Sequence, residues 1–199
     1  DRPGWRREPS PFADDARLYS AARTSRRTMG VAMIGWLTGK TARVEGESPA
    51  IINAVTAQGA TLVADGECDI WIHVAQPPMA KPAHELTHIE WRASLDVGLD
   101  RCFLGAREFA DQCRARSKGG AILFTAAPEQ AMGADHAAAA GALGNLTKTL
   151  GVEWARDGIR VNSILTLEMG DSLGNLAAYL VSDYAAYVTG AVMGVGLDD

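Results

Sequence analysis

The feature that most constrains this chain is an alternation of short, branched apolar runs with longer stretches of helical period. Val31–Ile34, Ile70–Ala75, Ala121–Thr125, Ile159–Ile164 and Ala191–Val195 read as strands. Between them, Ile51–Ala57 reads as a helix stopped by Gly59. Thr87 and Glu90 have the spacing of a capping box, so another helix starts at Thr87. Apolar residues then recur at helical intervals from Leu99 to Cys113, with Gly119-Gly120 as punctuation. A long helix spans Asp135 to Arg156 and stops at Asp157-Gly158, and a shorter one covers Ser172–Ser182. Strands alternating with helices build βαβ units and a mostly parallel sheet covered on both faces. The pattern predicts an α/β, doubly wound fold in one domain, residues 31–199.

Residues 1–30 stand apart. They hold seven Arg against four acids, together with Pro3, Pro9 and Pro11, and show no hydrophobic period before Leu18. This stretch reads as an N-terminal extension or arm. The whole chain carries a formal charge of −5, which argues against a nucleic-acid binder, since neutralising phosphates needs clustered Lys and Arg. No apolar run has the length of a membrane span, and Arg and Pro interrupt the N-terminus as no signal peptide would allow. Cys68, Cys102 and Cys113 form no CxxC pair and fit reduced thiols, so a cytoplasmic protein is expected.

Five motifs, in order between residues 69 and 190, resemble those of the short-chain dehydrogenase/reductase family. Asp69-Ile70-Trp71-Ile72-His73-Val74-Ala75 is similar to the strand that leads into the family's Asn-Asn-Ala-Gly turn. Glu90-Trp91 through Asp96-Val97-Gly98-Leu99 resembles its Trp-bearing helix and Asp-Val-Asn-Leu motif. Gly119-Gly120-Ala121-Ile122-Leu123 resembles the strand ending in the catalytic serine. Asn145–Glu153 followed by Gly158-Ile159-Arg160-Val161-Asn162 is the strongest match, and Tyr187-Val188-Thr189-Gly190 resembles the Tyr-x-Thr-Gly turn. The resemblance implies a Rossmann-like fold, truncated or with missing loops.

The same resemblance locates the family's chemistry. That chemistry uses a tyrosine as proton donor or acceptor and a lysine four residues on that lowers its pKa. A serine orients the carbonyl, and an asparagine supports a proton relay. Here His136 stands at the tyrosine position, Ala140 at the lysine, Ala127 (or its neighbour Ala126) at the serine and Gly98 at the asparagine. Three of these four replacements can neither give nor take a proton. His136 is expected at a helix start or on the surface, with Asp135 as its cap. The alternative is an active NAD(P)-dependent oxidoreductase that uses His136 as its acid, an imidazole of ordinary pKa about 6.5.

The cofactor end looks degraded too. The family's Gly-rich turn follows its first strand, and Gly35-Trp36-Leu37-Thr38-Gly39-Lys40 lacks that spacing, with Trp36 expected to fill the space of the phosphates. The chain is short by about a βα unit before Asp69, and short again after Ile164. Two other motifs carry less. His84-Glu85-Leu86-Thr87-His88 has the zincin pattern, but Thr87 as a cap leaves His84 in the preceding loop. Gly39-Lys40-Thr41 lacks the earlier glycine of a P-loop and reads as a turn, and Gly46-Glu47-Ser48-Pro49 reads as a helix breaker.

What persists are the long helices, the small-sided stretch Ala137–Gly144 and the last strand, which are assembly faces in the resembled family. The expectation is therefore a non-catalytic subunit that binds no cofactor itself. It would assemble, as a tetramer, with an active paralogue that holds NAD, an alcohol or hydroxyacyl-CoA dehydrogenase.

Overall fold

The computed structural model describes residues 35–75, 81–127, 133–167 and 170–196. The arm 1–30 and the expected strand Val31–Ile34 lie outside the described residues. Six strands form one parallel sheet: β1 (Thr41–Glu45), β2 (Thr61–Leu62), β3 (Ile70–Val74), β4 (Gly120–Ala126), β5 (Ile159–Thr166) and β6 (Val192–Val195). Their order across the sheet is β2-β1-β3-β4-β5-β6. The sheet thus reverses direction of growth between β1 and β3, the switch point at which doubly wound folds bind ligands.

Five helices flank it: α1 (Pro49–Ala57), α2 (His88–Leu95), α3 (Arg101–Ala115), α4 (Ala134–Glu153) and α5 (Asp171–Val181). The sequence supplies their ends. Thr87 and Glu90 form the capping box of α2, and Gly158 in the left-handed region (φ 70°) closes the turn after α4. A wide π-turn over Asp96–Asp100 joins α2 to α3 and carries Gly98.

Each face of the sheet has its own core. On one, Leu37, Ala42, Ile51, Ile72, Leu123 and Ile164 pack with Leu173, Ala177 and Leu180 of α5. There α1 lies against α5, and a Cβ at Gly174 would stand 2.4 Å from the Ala50 carbonyl oxygen. On the other, Trp71, Ile122, Phe124 and Val161 pack with Cys102, Phe109 and Cys113 of α3 and Leu143 of α4. The three cysteines are free and buried, and burial pushes the Cys102 thiol up to about 12, as expected of core residues.

Strand β1 corrects the sequence reading, which placed no strand between Gly39 and Ile51. Its five residues alternate: Ala42 and Val44 face one core, while Arg43 and Glu45 form an ion pair with each other at 3.2 Å. That half-polar strand hides from a search for continuous apolar runs. The connection from β2 to β3 is also unusual, for it returns the chain past β1 in the residues between Leu62 and Ile70 without a helix. Parallel neighbours ordinarily need a longer crossover. The short return works because β2 is two residues long and both ends of the connection bond to β1, Val63 to the Ala42 carbonyl and Asp69 to that of Thr41.

Candidate active site

The four positions singled out in the sequence converge. Gly98, Ala127, His136 and Ala140 line one pocket together with Ala75, Ser94, Ala126 and Ala139. It lies at the carboxyl ends of β3 and β4, where Ala75 and Ala126–Ala127 leave the sheet. Small side chains do not make it roomy. The helices close in, so that the pocket holds about 20 Å3, space for about one water. A Cβ at Gly98 would already stand 2.9 Å from that of Ala139.

His136 is buried, at 4% exposure, and this corrects the surface placement expected for it. It does sit in the first turn of α4, but Asp135 does not cap that helix, whose N-cap is Gly133. The Asp135 carboxylate instead accepts a 2.5 Å hydrogen bond from the Ser94 hydroxyl on α2. Burial pushes the Asp135 pKa up, yet the Ser94 bond and the neighbouring His136 outweigh it and hold the carboxyl below its ordinary value. Asp135 Oδ2 is 3.5 Å from His136 Nε2, beyond a good hydrogen bond. Both His136 nitrogens and Asp135 Oδ1 lack hydrogen-bond partners among the described residues. Ser94 carries no signal of its own in the sequence beyond lying one helical turn before Gly98.

The crevice beside this pocket is where the fold's dinucleotide would lie. The structure relocates its first turn: because β1 ends at Glu45, the turn is Gly46-Glu47-Ser48, leading into α1 at Pro49. The segment read from sequence as a helix breaker is therefore the loop at the switch point. Gly35–Gly39, read as the degenerate phosphate turn, precedes β1, and the Trp36 ring packs 5.7 Å from that of Tyr184 rather than blocking the crevice.

The relocated turn is a poor match to a pyrophosphate. Gly46 has φ +89°, and a Cβ there would collide with the Val74 carbonyl oxygen at 2.3 Å, so the ends of β1 and β3 are pressed together. Pro49 supplies no N–H, the Ile51 N–H already donates to Ser48 Oγ, and that of Ile52 to the Ser48 carbonyl. The helix start thus offers little to an anion. Glu45 adds negative charge. His73 Nδ1 lies 3.6 Å from its carboxylate, and the neighbouring His73, Trp71 and Arg43 hold its pKa down against desolvation. The position of the ribose-holding lysine is Ala140, buried in the wall. The residues present do not fit a bound dinucleotide.

The zincin pattern does not form a site either. Leu86 and Thr87 are extended, with ψ 122° and 158°, so His84 and His88 belong to separate helical segments. No group of three or more His, Cys, Asp or Glu among the described residues is placed to hold a metal ion.

The model of the enoyl-(acyl carrier protein) reductase branch of short-chain dehydrogenases matches residues 47–169. This chain belongs to the short-chain dehydrogenase/reductase family. It is 30% identical over 167 positions to the 3beta-hydroxysteroid dehydrogenase 1 of Eggerthella lenta, covering 67% of this chain and 64% of that protein. It is 27% identical over 176 positions to a galactitol 2-dehydrogenase (L-tagatose-forming) of Cereibacter sphaeroides, covering 71% and 69%. The chain therefore spans a little under two thirds of the first relative's length. A short-chain type dehydrogenase/reductase from Mycobacterium marinum superposes with a TM-score of 0.72 at 19% identity, over 80% of this chain and 94% of that one. Acetoin dehydrogenase from Enterobacter cloacae gives 0.62 at 21%, over 70% and 75%. These structures share the fold. Among the described residues no helix is long and apolar enough to cross a membrane.

Proposed function

We propose that this protein is a non-catalytic member of its oxidoreductase family, a subunit that assembles with an active, NAD-using short-chain dehydrogenase and supports that partner's structure or substrate pocket. The observation that carries the reading is the pocket of about 20 Å3 walled by Gly98, Ala127, His136 and Ala140. The hydroxyl in its lining, that of Ser94, is committed to Asp135, and no Lys or Arg lines it to tune an acid. A substrate carbonyl has no room beside His136. The poor match of the Gly46–Pro49 turn to pyrophosphate supports the same reading, in which NAD is held by the partner, an alcohol or hydroxyacyl-CoA dehydrogenase.

The faces an assembly would use are formed. Helix α3 exposes Phe103 and Leu104, and α4 runs unbroken from Ala134 to Glu153 with its small-sided start. Exposed apolar residues on a formed helix mark a surface suited to a partner. The test is to express the chain alone and with a dehydrogenase paralogue encoded beside it. Co-purification as a hetero-tetramer, with NADH titrating only into the partner's sites, is the expected result. A stable homo-oligomer that binds NADH saturably and reduces a ketone would overturn it.

One observation favours a second reading. His136 is a buried imidazole facing a pocket with both nitrogens free of hydrogen bonds, as an acid awaiting a substrate would be. On that reading the isolated chain turns over NADH, and His136→Leu abolishes the turnover.

A further inference from the structure

A cavity away from the family's site lies at the opposite, amino-terminal edge of the sheet. It has a volume of about 270 Å3 and sits among the starts of β1, β3, β4 and β5 and the end of α5. Three cations from separate elements line it: Lys40 before β1, Lys118 before β4 and Arg160 in β5. Two carboxylates, Asp69 and Asp183, share the lining. The pocket is thus one positive charge in excess.

The three cations differ in their commitments. Lys118 donates to Asp69 at 2.6 Å, and Asp69 is further held by the Thr41 amide and hydroxyl. Lys40 pairs with Asp183 at 3.0 Å, but that carboxylate is 76% exposed, so the pair is weak and exchangeable. Arg160 donates to the carbonyls of Leu180 at 2.5 Å and Ser182 at 3.0 Å, around the end of α5. No carboxylate among the described residues lies at ion-pair distance from Arg160. A half-buried guanidinium whose hydrogen bonds go to carbonyls keeps its donors in a fixed fork, and Asp183 acts on its charge without contact at ion-pair distance.

Glycines also line the cavity: a Cβ at Gly119 would collide with the Gly158 carbonyl oxygen at 2.3 Å, so glycine is required there by the approach of the two segments. Beside it stands an exposed aromatic pair. Tyr184 follows Asp183 in the chain, and its ring lies 5.7 Å from that of Trp36, four residues before Lys40. Both rings are substantially solvent-exposed.

We propose that this pocket binds a phosphate monoester, with the phosphate received by Lys40, Lys118 and Arg160 in exchange for the exposed Asp183. An excess of convergent cations, one of them fixed by backbone carbonyls, suits a dianion. The Trp36–Tyr184 pair gives a flat organic group on the ester a face to stack on. The shared chemistry is the phosphate, and its source is either the free ion or an aromatic ester such as a nucleotide.

The test uses the full chain, with thermal shift and calorimetry against inorganic phosphate, adenosine 5′-monophosphate and adenosine. Phosphate and the nucleotide are expected to bind, with affinity falling as salt is raised, and adenosine is not. The double variant Lys40→Gln, Lys118→Gln, checked for intact fold by circular dichroism, is expected to weaken both by about tenfold or more. Trp36→Ala should reduce the nucleotide to the affinity of free phosphate, and if it does not, the aromatic contact is wrong and the free ion is the ligand. Glu45→Gln, at the other edge, should change nothing. Absence of binding at millimolar phosphate and nucleotide, equal binding by the double variant, or tighter nucleotide binding in Glu45→Gln would each overturn the proposal.

Discussion

The two edges of the sheet differ in how their polar groups are used. At the amino edge the buried carboxylate of Asp69 gathers the Thr41 amide and hydroxyl and the Lys118 ammonium. Asn162 of β5 donates to the Val188 carbonyl and accepts from the Ala191 amide, fixing the turn before β6. At the carboxyl edge, where folds of this kind bind ligands, His73, Asp135 and His136 keep buried polar atoms without hydrogen-bond partners among the described residues. The contrast separates two kinds of polar group. Asp69 and Asn162 tie segments together at one end, and His73 and His136 keep both ring nitrogens without hydrogen bonds at the other.

The comparison breaks first at Asp69. Desolvation raises its pKa, but the Lys118 and Thr41 hydrogen bonds overcome that and leave it lowered. A depressed carboxylate contributes stability that is present above its unfolded pKa of about 3.9 and is lost as pH falls through the folded value. Asp69→Ala leaves Lys118 unpaired, removes the acceptor of the Thr41 amide and hydroxyl and abolishes that acid-side dependence. The expected loss is about 3 kcal/mol by urea denaturation at pH 7, with a flatter stability profile below about pH 4. A loss under about 1 kcal/mol would mean the amino edge is not the anchored end.

Gly46 comes next, because it is the one point where the carboxyl edge is rigid. Its φ of +89° and the 2.3 Å approach to the Val74 oxygen leave no place for a methyl group. Gly46→Ala is expected to destabilise by about 2 kcal/mol, read from the same denaturation midpoints. Tolerance there would show that the β1 and β3 ends can part, and would reopen the crevice to a cofactor.

His136 gives a smaller effect of opposite sign. A buried imidazole without partners carries a desolvation penalty that an apolar side chain of similar size avoids. His136→Leu is expected to stabilise the chain by about 1 kcal/mol and to leave the activity of the assembled partner unchanged. Destabilisation would show that the imidazole has a structural contact with Asp135 stronger than its 3.5 Å separation suggests.

Much of this was legible in the sequence, and the exceptions have physical causes. Apolar strands β3, β4 and β5 announce themselves because both faces are buried, and α2 because Thr87 and Glu90 cap it. Strand β1 does not, because Arg43 and Glu45 give it a period of two with one polar face. With β1 hidden in this way, the sequence pattern points to a phosphate turn at Gly35 filled by Trp36, whereas the turn after β1 is at Gly46 and Trp36 packs on Tyr184. The four altered positions could be counted from motif spacing alone. Their closure into a pocket for about one water could not, since it depends on how α4 packs against the π-turn at Gly98. Nor could the Ser94–Asp135 bond, which joins residues 41 apart.

The smallest expected effect is also the sharpest test of the comparison. Restoring all four side chains, as Gly98→Asn, Ala127→Ser, His136→Tyr and Ala140→Lys, rebuilds the family's chemical groups on paper. It is expected to yield no ketone reduction and no saturable NADH binding. Asparagine at residue 98 must push against Ala139, whose Cβ lies 2.9 Å from the added Cβ. Lysine at residue 140 brings a cation into a buried wall that holds Asp135 as its nearby carboxylate, so the variant should be less stable than the parent. Above all, none of the four substitutions touches the crevice at β1. There Pro49 withholds a donor, Ser48 occupies another, and Glu45 keeps its charge. On the proposed non-catalytic reading, turnover by this variant would show that four side chains alone withhold activity. Its absence, with binding regained only when the Gly46–Pro49 turn is also replaced by a glycine-rich loop, would place the loss in the edge as a whole.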